Sequence, residues 1–367
     1  VCPFFLDFIL DIVYIFHCQI LFCLEDEMSD ITRVALDAMG GDNAPSMIVQ
    51  GAIEAINERD DIKVFLVGRS EAINAELDKY TYNKEKIEVV NATEEIEMAE
   101  PPVNAIKKKK DSSMVLGMKL VKDKKADAFV TAGNSGAVLV GGQTIVGRIK
   151  GIKRAPFAPL IPTKNGVSLL LDCGANVDAR ADQLVQFARL GSMYMEKVVG
   201  IKNPRVGIVN IGAEEEKGNA LVKETFPLLK ECTDINFIGS VESRDIPEGV
   251  CDVIVCEAFV GNVILKLYEG LAGTLISVIK EGLMSTTKSK IGTLLAKPAL
   301  KKTLKSFDSS TYGGAPLLGL EGLVVKTHGS ASNVEVKNSI IQCVAFKEQD
   351  IANKVRESIV DGSTKND

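Results

Sequence analysis

Beyond its first 27 residues this chain holds a single histidine, His328, and that scarcity limits the chemistry open to it. A Ser-His-Asp triad can form only around His328, and an HExxH zinc site cannot form at all. The nucleotide fingerprints GxGxxG and GxxxxGK[ST] are absent, as is the GxSxG nucleophile elbow. What the chain does carry is a set of loops suited to holding an anion. ITRVALDAMGGDNAP begins as an apolar run, stops on Asp37 and opens into Gly40 and Gly41, which take positive φ without steric cost and let backbone N–H groups approach a ligand. Asp42 or Asn43 is suited to cap the helix that Pro45 would start. In AGNSGA, Gly133 and Gly136 flank Asn134 and Ser135, a combination that either binds phosphate at a helix start or simply caps that helix. Asn262 and Lys266, in FVGNVILK, stand four residues apart on one face of a helix start. His328, in THGSAS, can donate to an anion or protonate a leaving group, and it can equally be structural.

These loops need a scaffold that brings them together, and the hydrophobic pattern supplies one. Short β-rich runs at 62–67, 87–91, 126–131, 158–162, 167–172, 205–210, 235–238, 253–256 and 323–326 alternate with helical segments. Helices are expected over 70–80, 102–125 and 182–199, and at the C-terminus. Six strands, ending after Leu36, Thr131, Leu171, Val209, Val255 and Val325, run straight into loops rich in Gly, Asn, Asp or Ser. In a parallel α/β sheet such ends lie along one edge, where ligands bind, so these loops are expected to converge.

The segment DAMGGDNAP resembles the opening signature of the bacterial phosphate acyltransferases of phospholipid synthesis, and matching segments follow in order from Ile31 to about Lys354. The resemblance implies a three-layer α/β/α sandwich with a mainly parallel sheet, of the isocitrate-dehydrogenase-like and phosphotransacetylase-like kind, and a homodimer. The reaction it implies moves a fatty acyl group from an acyl carrier protein thioester to inorganic phosphate, with no metal or organic cofactor. The acyl phosphate would feed a glycerol-3-phosphate acyltransferase at the membrane. Such chemistry makes modest demands: phosphate is already charged near neutral pH, and a thiolate, with a free thiol pKa of about 8.5, leaves readily. The protein must hold phosphate beside the carbonyl and stabilise an oxyanion, tasks for backbone N–H groups, Asn side chains and a cation.

On that reading the phosphate and substrate contacts are Asp37, Gly40, Gly41, Asp42, Gly133, Ser135, Gly136, Asn262 and Lys266. At positions matching family motifs they are joined by Asp172 and Asn176 in DCGANVD and by Asn210 and Asn219 in NIGAEEEKGN. Lys217 of the latter motif, Asn134 and His328 are the expected catalytic residues, with a surface ion pair to Glu214, Glu215 or Glu216 as the alternative for Lys217. The chain departs from the family pattern at Glu257-Ala258, where members commonly carry Asp-Gly, so no role is carried over to Glu257. Two rival readings share parts of the pattern: a phosphotransacetylase using acyl-coenzyme A, and a non-catalytic scaffold that binds membrane or carrier protein.

The composition, 46% hydrophobic and 25% charged over 367 residues, is that of an ordinary soluble globular chain, and the net charge of −6 argues against wholesale nucleic-acid binding. Residues 1–27 are apolar, lack Lys and Arg, and hold three of the eight cysteines. Without the positive region of a secretory signal, and with Asp7 and Asp11 inside the apolar run, they read as an over-extended start before Met28. The expected organisation is a single domain over 28–360, a helical protrusion near 270–307 and a tail over 361–367. The other five cysteines are scattered with no CxxC pair, which fits reduced thiols in a cytoplasmic protein. Two stretches are rich in lysine. That at 102–125 is either a solvated helix face or a dock for an acidic partner. That at 282–307 has six lysines and no acid: Lys288, Lys290, Lys297, Lys301, Lys302 and Lys305 surround Ile291, Leu294, Leu295 and Leu304, with Pro298 expected to divide two amphipathic helices. It is expected to touch the carrier protein or the inner face of the cell membrane, where the resemblance implies peripheral association, or else to form a dimer interface.

Overall fold

The central strands of this protein read as near-continuous apolar runs because they are buried on both faces, and the period of two divides each run between two cores. The computed structural model describes residues 31–306 and 309–363, without the side chains of Lys302, 304–310 and 358–363. The expectations for the 1–27 leader, for the side chains of Lys302, Leu304 and Lys305, and for most of the 361–367 tail therefore lie outside the described residues.

The chain builds one sheet, then a second, then returns to the first. First come β1 (Thr32–Asp37), β2 (Ile62–Gly68), β3 (Ile87–Asn91) and β4 (Ala128–Thr131). The second sheet holds β5 (Leu160–Thr163), β6 (Gly166–Leu171), β7 (Arg205–Asn210), β8 (Asn236–Glu242) and β9 (Val253–Val255), after which β10 (Ala315–Pro316) and β11 (Leu323–Lys326) rejoin the first. Strand order is β10-β11-β4-β1-β2-β3 in one sheet and β5-β6-β9-β7-β8 in the other. Every pairing is parallel except at two edges, β10 with β11 and β5 with β6. The expected α/β/α layering with mainly parallel strands is present, with the sheet divided in two.

Helices α1 (Ser46–Glu58), α2 (Ser70–Leu77), α3 (Pro102–Lys108), α4 (Ser113–Lys122) and α5 (Ser135–Gly141) serve the first sheet, and α6 (Ala181–Tyr194) and α7 (Ala220–Glu231) the second. A long pair follows, α8 (Ala258–Leu283) and α9 (Thr287–Ser306), and α10 (Asn333–Glu348) and α11 (Ile351–Ser363) end the described chain. In β1, Val34 and Leu36 share a core with Ile53 of α1 and Val344 of α10, whereas Ala35 lies in a different core with Met118 of α4. In β6, Leu169 and Leu171 share a third core with Phe187 of α6. Leu170 faces the other way, into the cluster that also takes Phe129 from β4 and Ile254 from β9, so one core is common to both sheets.

Two helical expectations change. The segment 102–125 is two helices because Ser112 starts a new one, its hydroxyl accepting from the Val115 amide at 3.4 Å. Pro298 does not divide the lysine-rich stretch: α9 runs through it as one helix. A mid-helix proline forfeits one backbone bond and crowds the carbonyl four residues back, a cost that an exposed helix with a full run on either side can carry. The pair α8–α9 packs sparingly, with only Ala258 and Gly261 buried along α8.

Candidate active site

Five of the six strand-end loops meet at one cleft of about 810 Å³ between the two sheets. The loop after β1 contributes Asp42, that after β4 Ser135, and that after β11 Thr327, His328 and Gly329. From the second sheet come Cys173 and Gly174 after β6, and Asn262 and Lys266 from the first turns of α8 after β9. The size is that of a small-molecule site.

The loops are held by buried polar knots, and several residues expected to touch substrate are those knots instead. Asp37 is 2% exposed; it accepts from the Thr131 hydroxyl at 2.7 Å and from the Met39 amide at 3.1 Å. Burial pushes its pKa up, opposed by hydrogen bonds from Ser113 and Thr131. Thr131 in turn accepts from the Gly133 amide at 2.9 Å, so Asp37 ties the first loop to the second and has no face left for phosphate. Gly40 sits inside this knot, where a Cβ would lie 2.6 Å from the Asp37 carboxylate, and Gly41 has φ +95°, so both glycines serve geometry. Gly133 is buried in the same knot. Gly136 packs so closely that a Cβ would meet Pro102 at 2.7 Å. Neither Asp42 nor Asn43 caps α1: Asn43 donates to the Ser330 and Ala331 carbonyls, and Pro45 itself is the N-cap.

The sequence points to Asn134 acting on substrate, yet its side chain is fully engaged within the protein. Its oxygen caps α5 at the Ala137 amide, 3.0 Å, and its amide donates to the carbonyls of Glu97, Met98 and Glu100. It therefore positions the neighbouring Ser135, which is exposed in the cleft. Asp172 and Asn176 form a second knot. The Asp172 carboxylate accepts from the amides of Phe157 (2.9 Å), Ala175 (3.3 Å) and Asn176 (2.7 Å) and from the Asn176 side chain (2.7 Å). Burial nonetheless pushes its pKa up to about 6. This knot seats α8: a Cβ on Gly261 would lie 1.9 Å from the Asp172 carbonyl oxygen. Glu257 caps the same helix, accepting from the Phe259 and Val260 amides at 2.6 and 3.0 Å. The departure from Asp-Gly thus leaves an acid with a defined capping task.

Asn262, Lys266 and His328 line the cleft, one helix turn separating the first two. His328 Nδ1 accepts from the Ser330 amide at 3.3 Å and lies 2.8 Å from the Ser330 hydroxyl. In the neutral ring this leaves the proton on Nε2. A residue not anticipated joins them. Lys326, closing β11, lines the cleft with its ammonium donating to the Ala132 carbonyl at 3.2 Å and to the Thr327 carbonyl. Burial pulls its pKa down to about 8, against the attraction of Glu335, Asp37 and Asp42. The signal in the sequence was a lysine ending an otherwise apolar strand. Cys173 also lines the cleft, but burial raises its pKa well above the usual thiol value, so it is no ready nucleophile.

The loop after β7 is the exception. Asn210 is turned inward, to the Lys217 carbonyl at 3.2 Å and the Ser240 hydroxyl at 3.0 Å, and Asn219 caps α7 at the Val222 amide. Lys217 is exposed and pairs with Glu214 at 2.7 Å. None of the three lines the cleft, although β7 lies beside β9 in the sheet and its loop emerges on the same edge.

Comparison with known proteins places these features in a family. The model of the family described as fatty acid synthesis protein matches residues 32–354. The phosphate acyltransferase of Alkaliphilus oremlandii is 52% identical over 330 residues, covering 90% of this chain and 97% of the relative. That of Clostridium novyi is 47% identical over 327 residues, covering 89% and 98%. Among solved structures, the EutD phosphotransacetylase from Staphylococcus aureus superposes with a TM-score of 0.56 at 16% identity, covering 90% of this chain and 98% of that one. A phosphotransacetylase from Streptococcus pyogenes gives 0.57 at 17%, covering 88% and 96%; both likenesses concern the fold.

Proposed function

Since this chain belongs to the fatty acid synthesis protein family and is an acyltransferase of the phosphate acyltransferase class, we propose that it moves a fatty acyl group from an acyl carrier protein thioester to inorganic phosphate in the cleft between its sheets. The observation that carries this reading is the meeting of Lys266, Lys326 and His328 in one cleft, cations and a donor delivered by two different strand ends. Phosphate sits between the two lysines and within reach of Ser135. One phosphate oxygen attacks the thioester carbonyl carbon, forming the new C–O bond, while the Asn262 amide and Lys266 stabilise the oxyanion. Collapse of that intermediate breaks the C–S bond; the sulfur leaves as a thiolate that accepts a hydrogen bond from His328 Nε2, and the proton carried in by hydrogen phosphate is released to it or to water as the acyl phosphate forms. Lys217 stays a candidate beside this set: its pairing with Glu214 is solvent-exposed and weak, so a bound anion can compete for it.

The same reading extends to partners. The helix α8 is long and apolar enough to cross a membrane by length and composition alone. Its first turns, however, wall the cleft, and Tyr268 bonds the Pro162 carbonyl at 2.5 Å. We read its outward apolar stripe, Phe259, Val263, Leu267, Leu271 and Val278, as the face that meets a second copy in a homodimer. The protein is proposed to be cytoplasmic and peripheral at the inner face of the cell membrane. Lys288, Lys290, Lys297 and Lys301 attract anionic lipid, and acyl phosphate passes to a glycerol-3-phosphate acyltransferase. The test is incubation with phosphate and either hexadecanoyl carrier protein or acetyl-coenzyme A, measuring free thiol and acyl phosphate. Both products form from the carrier-protein substrate. Faster turnover of acetyl-coenzyme A favours a phosphotransacetylase, and no thiol release from either leaves a scaffold.

A further inference from the structure

A second cavity adjoins the cleft. It is a groove of about 1260 Å³ running between α8 and α9, and the two spaces share Leu265 and Glu269 as walls. Its floor is apolar, built from Leu265, Ile276, Ile279 and Leu283 of α8 with Leu294 and Leu300 of α9. These α8 positions recur every three or four residues, so they form one face of the helix. The stripe assigned to a second copy, Phe259 through Val278, occupies a different face of the helix. From Leu265 to Leu283 the helix advances 18 residues, or about 27 Å. A single fatty chain spans about half of the ~30 Å hydrocarbon core of a bilayer, about 15 Å, so the groove takes one along its length.

We infer that the α8–α9 groove binds the acyl chain of the thioester substrate, with the carbonyl held at Asn262 and Lys266 and the chain running outward along α8. The inference rests on the acyl-transfer reading above and adds to it the site that reads chain length. The continuity of groove and cleft is what fixes the occupant: a ligand filling both must be an extended apolar chain ending in a polar reacting group. Lysines 280, 290, 297 and 301 border the groove and leave its floor apolar.

Ala272 supplies the test. It lines the groove seven residues beyond Leu265, about 10 Å along the helix, so Ala272→Trp shortens the space open to a chain. The full protein is assayed with hexadecanoyl and butanoyl carrier protein, and the ratio of the two turnover rates is expected to fall at least tenfold. The chain has no tryptophan of its own, so Ile276→Trp gives a second, direct readout. Its emission is expected to shift to the blue when hexadecanoyl carrier protein is added and to stay in place with the butanoyl form. An unchanged ratio, or an emission shift indifferent to chain length, overturns the groove. Equal loss for both chain lengths together with a change in oligomeric state on size exclusion also overturns it, in favour of an interface between copies. If the parent protein transfers neither chain to phosphate, the failure belongs to the acyl-transfer reading, while a chain-selective emission shift would still uphold the groove.

Discussion

At the scale of single residues, burial sorts the polar groups of the strand-end loops into those that hold the cleft and those that face it. Lys326 belongs to the second set and is the one whose charge is most open to change. Its pKa is pulled down to about 8 from the ordinary lysine value, so in the free protein it is a cation below pH 8 and increasingly neutral above it. If that cation binds phosphate, kcat/KM for phosphate falls as pH rises through about 8, since this ratio reports groups of the free enzyme. Lys326→Arg is expected to hold its charge to far higher pH and flatten that limb of the profile, and a profile unchanged by the substitution would remove Lys326 from the site. Asp172 belongs to the first set. Truncating it leaves buried donors without an acceptor, and Asp172→Ala is expected to cost about 1–3 kcal/mol on the scale of such losses, read from urea unfolding. Asn134→Ala should behave in the same way, losing stability together with turnover.

At the scale of elements, the strands and the convergence of their loops were legible because doubly buried parallel strands announce themselves as short apolar runs, and their ends must share an edge. What the pattern could not reveal was which polar residues at those ends look inward. Asp37, Asn134 and Asp172 are of types that suit a ligand as well as a knot, and only the partners Thr131, the carbonyls of Glu97, Met98 and Glu100, and Asn176 decide between them. Lys326 escaped notice for the converse reason: it reads as the last residue of a strand, and its place in the cleft depends on β4 lying beside β11. The loop after β7 is the element whose role is still to be tested. Asn262→Ala and Lys266→Ala, on the cleft face of α8, are expected to lower turnover by tens of fold or more, on the scale of losing one oxyanion donor, about 2.7–4 kcal/mol. Lys217→Ala, made in parallel, measures whether its loop closes on substrate: a loss as large as that of Lys266→Ala places it at the reacting centre, and a near-normal rate at saturating phosphate leaves it an exposed ion pair.

At the scale of the whole molecule, an acidic chain presents a lysine-rich helical tip, and the two facts bear on each other. A net charge of −6 works against approach to an anionic surface, so any attraction must be local, within the roughly 8–10 Å over which charges act at physiological salt. The helix α9 meets that condition: Lys288, Lys290 and Lys297 lie along it with Ile291 and Leu295, the last 80% exposed, one turn apart. Each lysine near an anionic surface contributes about 1 kcal/mol, enough in combination with two inserted apolar side chains for reversible binding and too little for permanent anchoring. The expected result is flotation of the protein with anionic liposomes at low salt, release at high salt, and little association with neutral liposomes. Ile291→Glu combined with Leu295→Glu should abolish flotation and leave acyl transfer in solution intact, because neither residue lines the cleft or the groove. Loss of the oligomer in that variant would instead assign α9 to contact between copies, and indifference of the parent to anionic liposomes would rule out a membrane role for the tip.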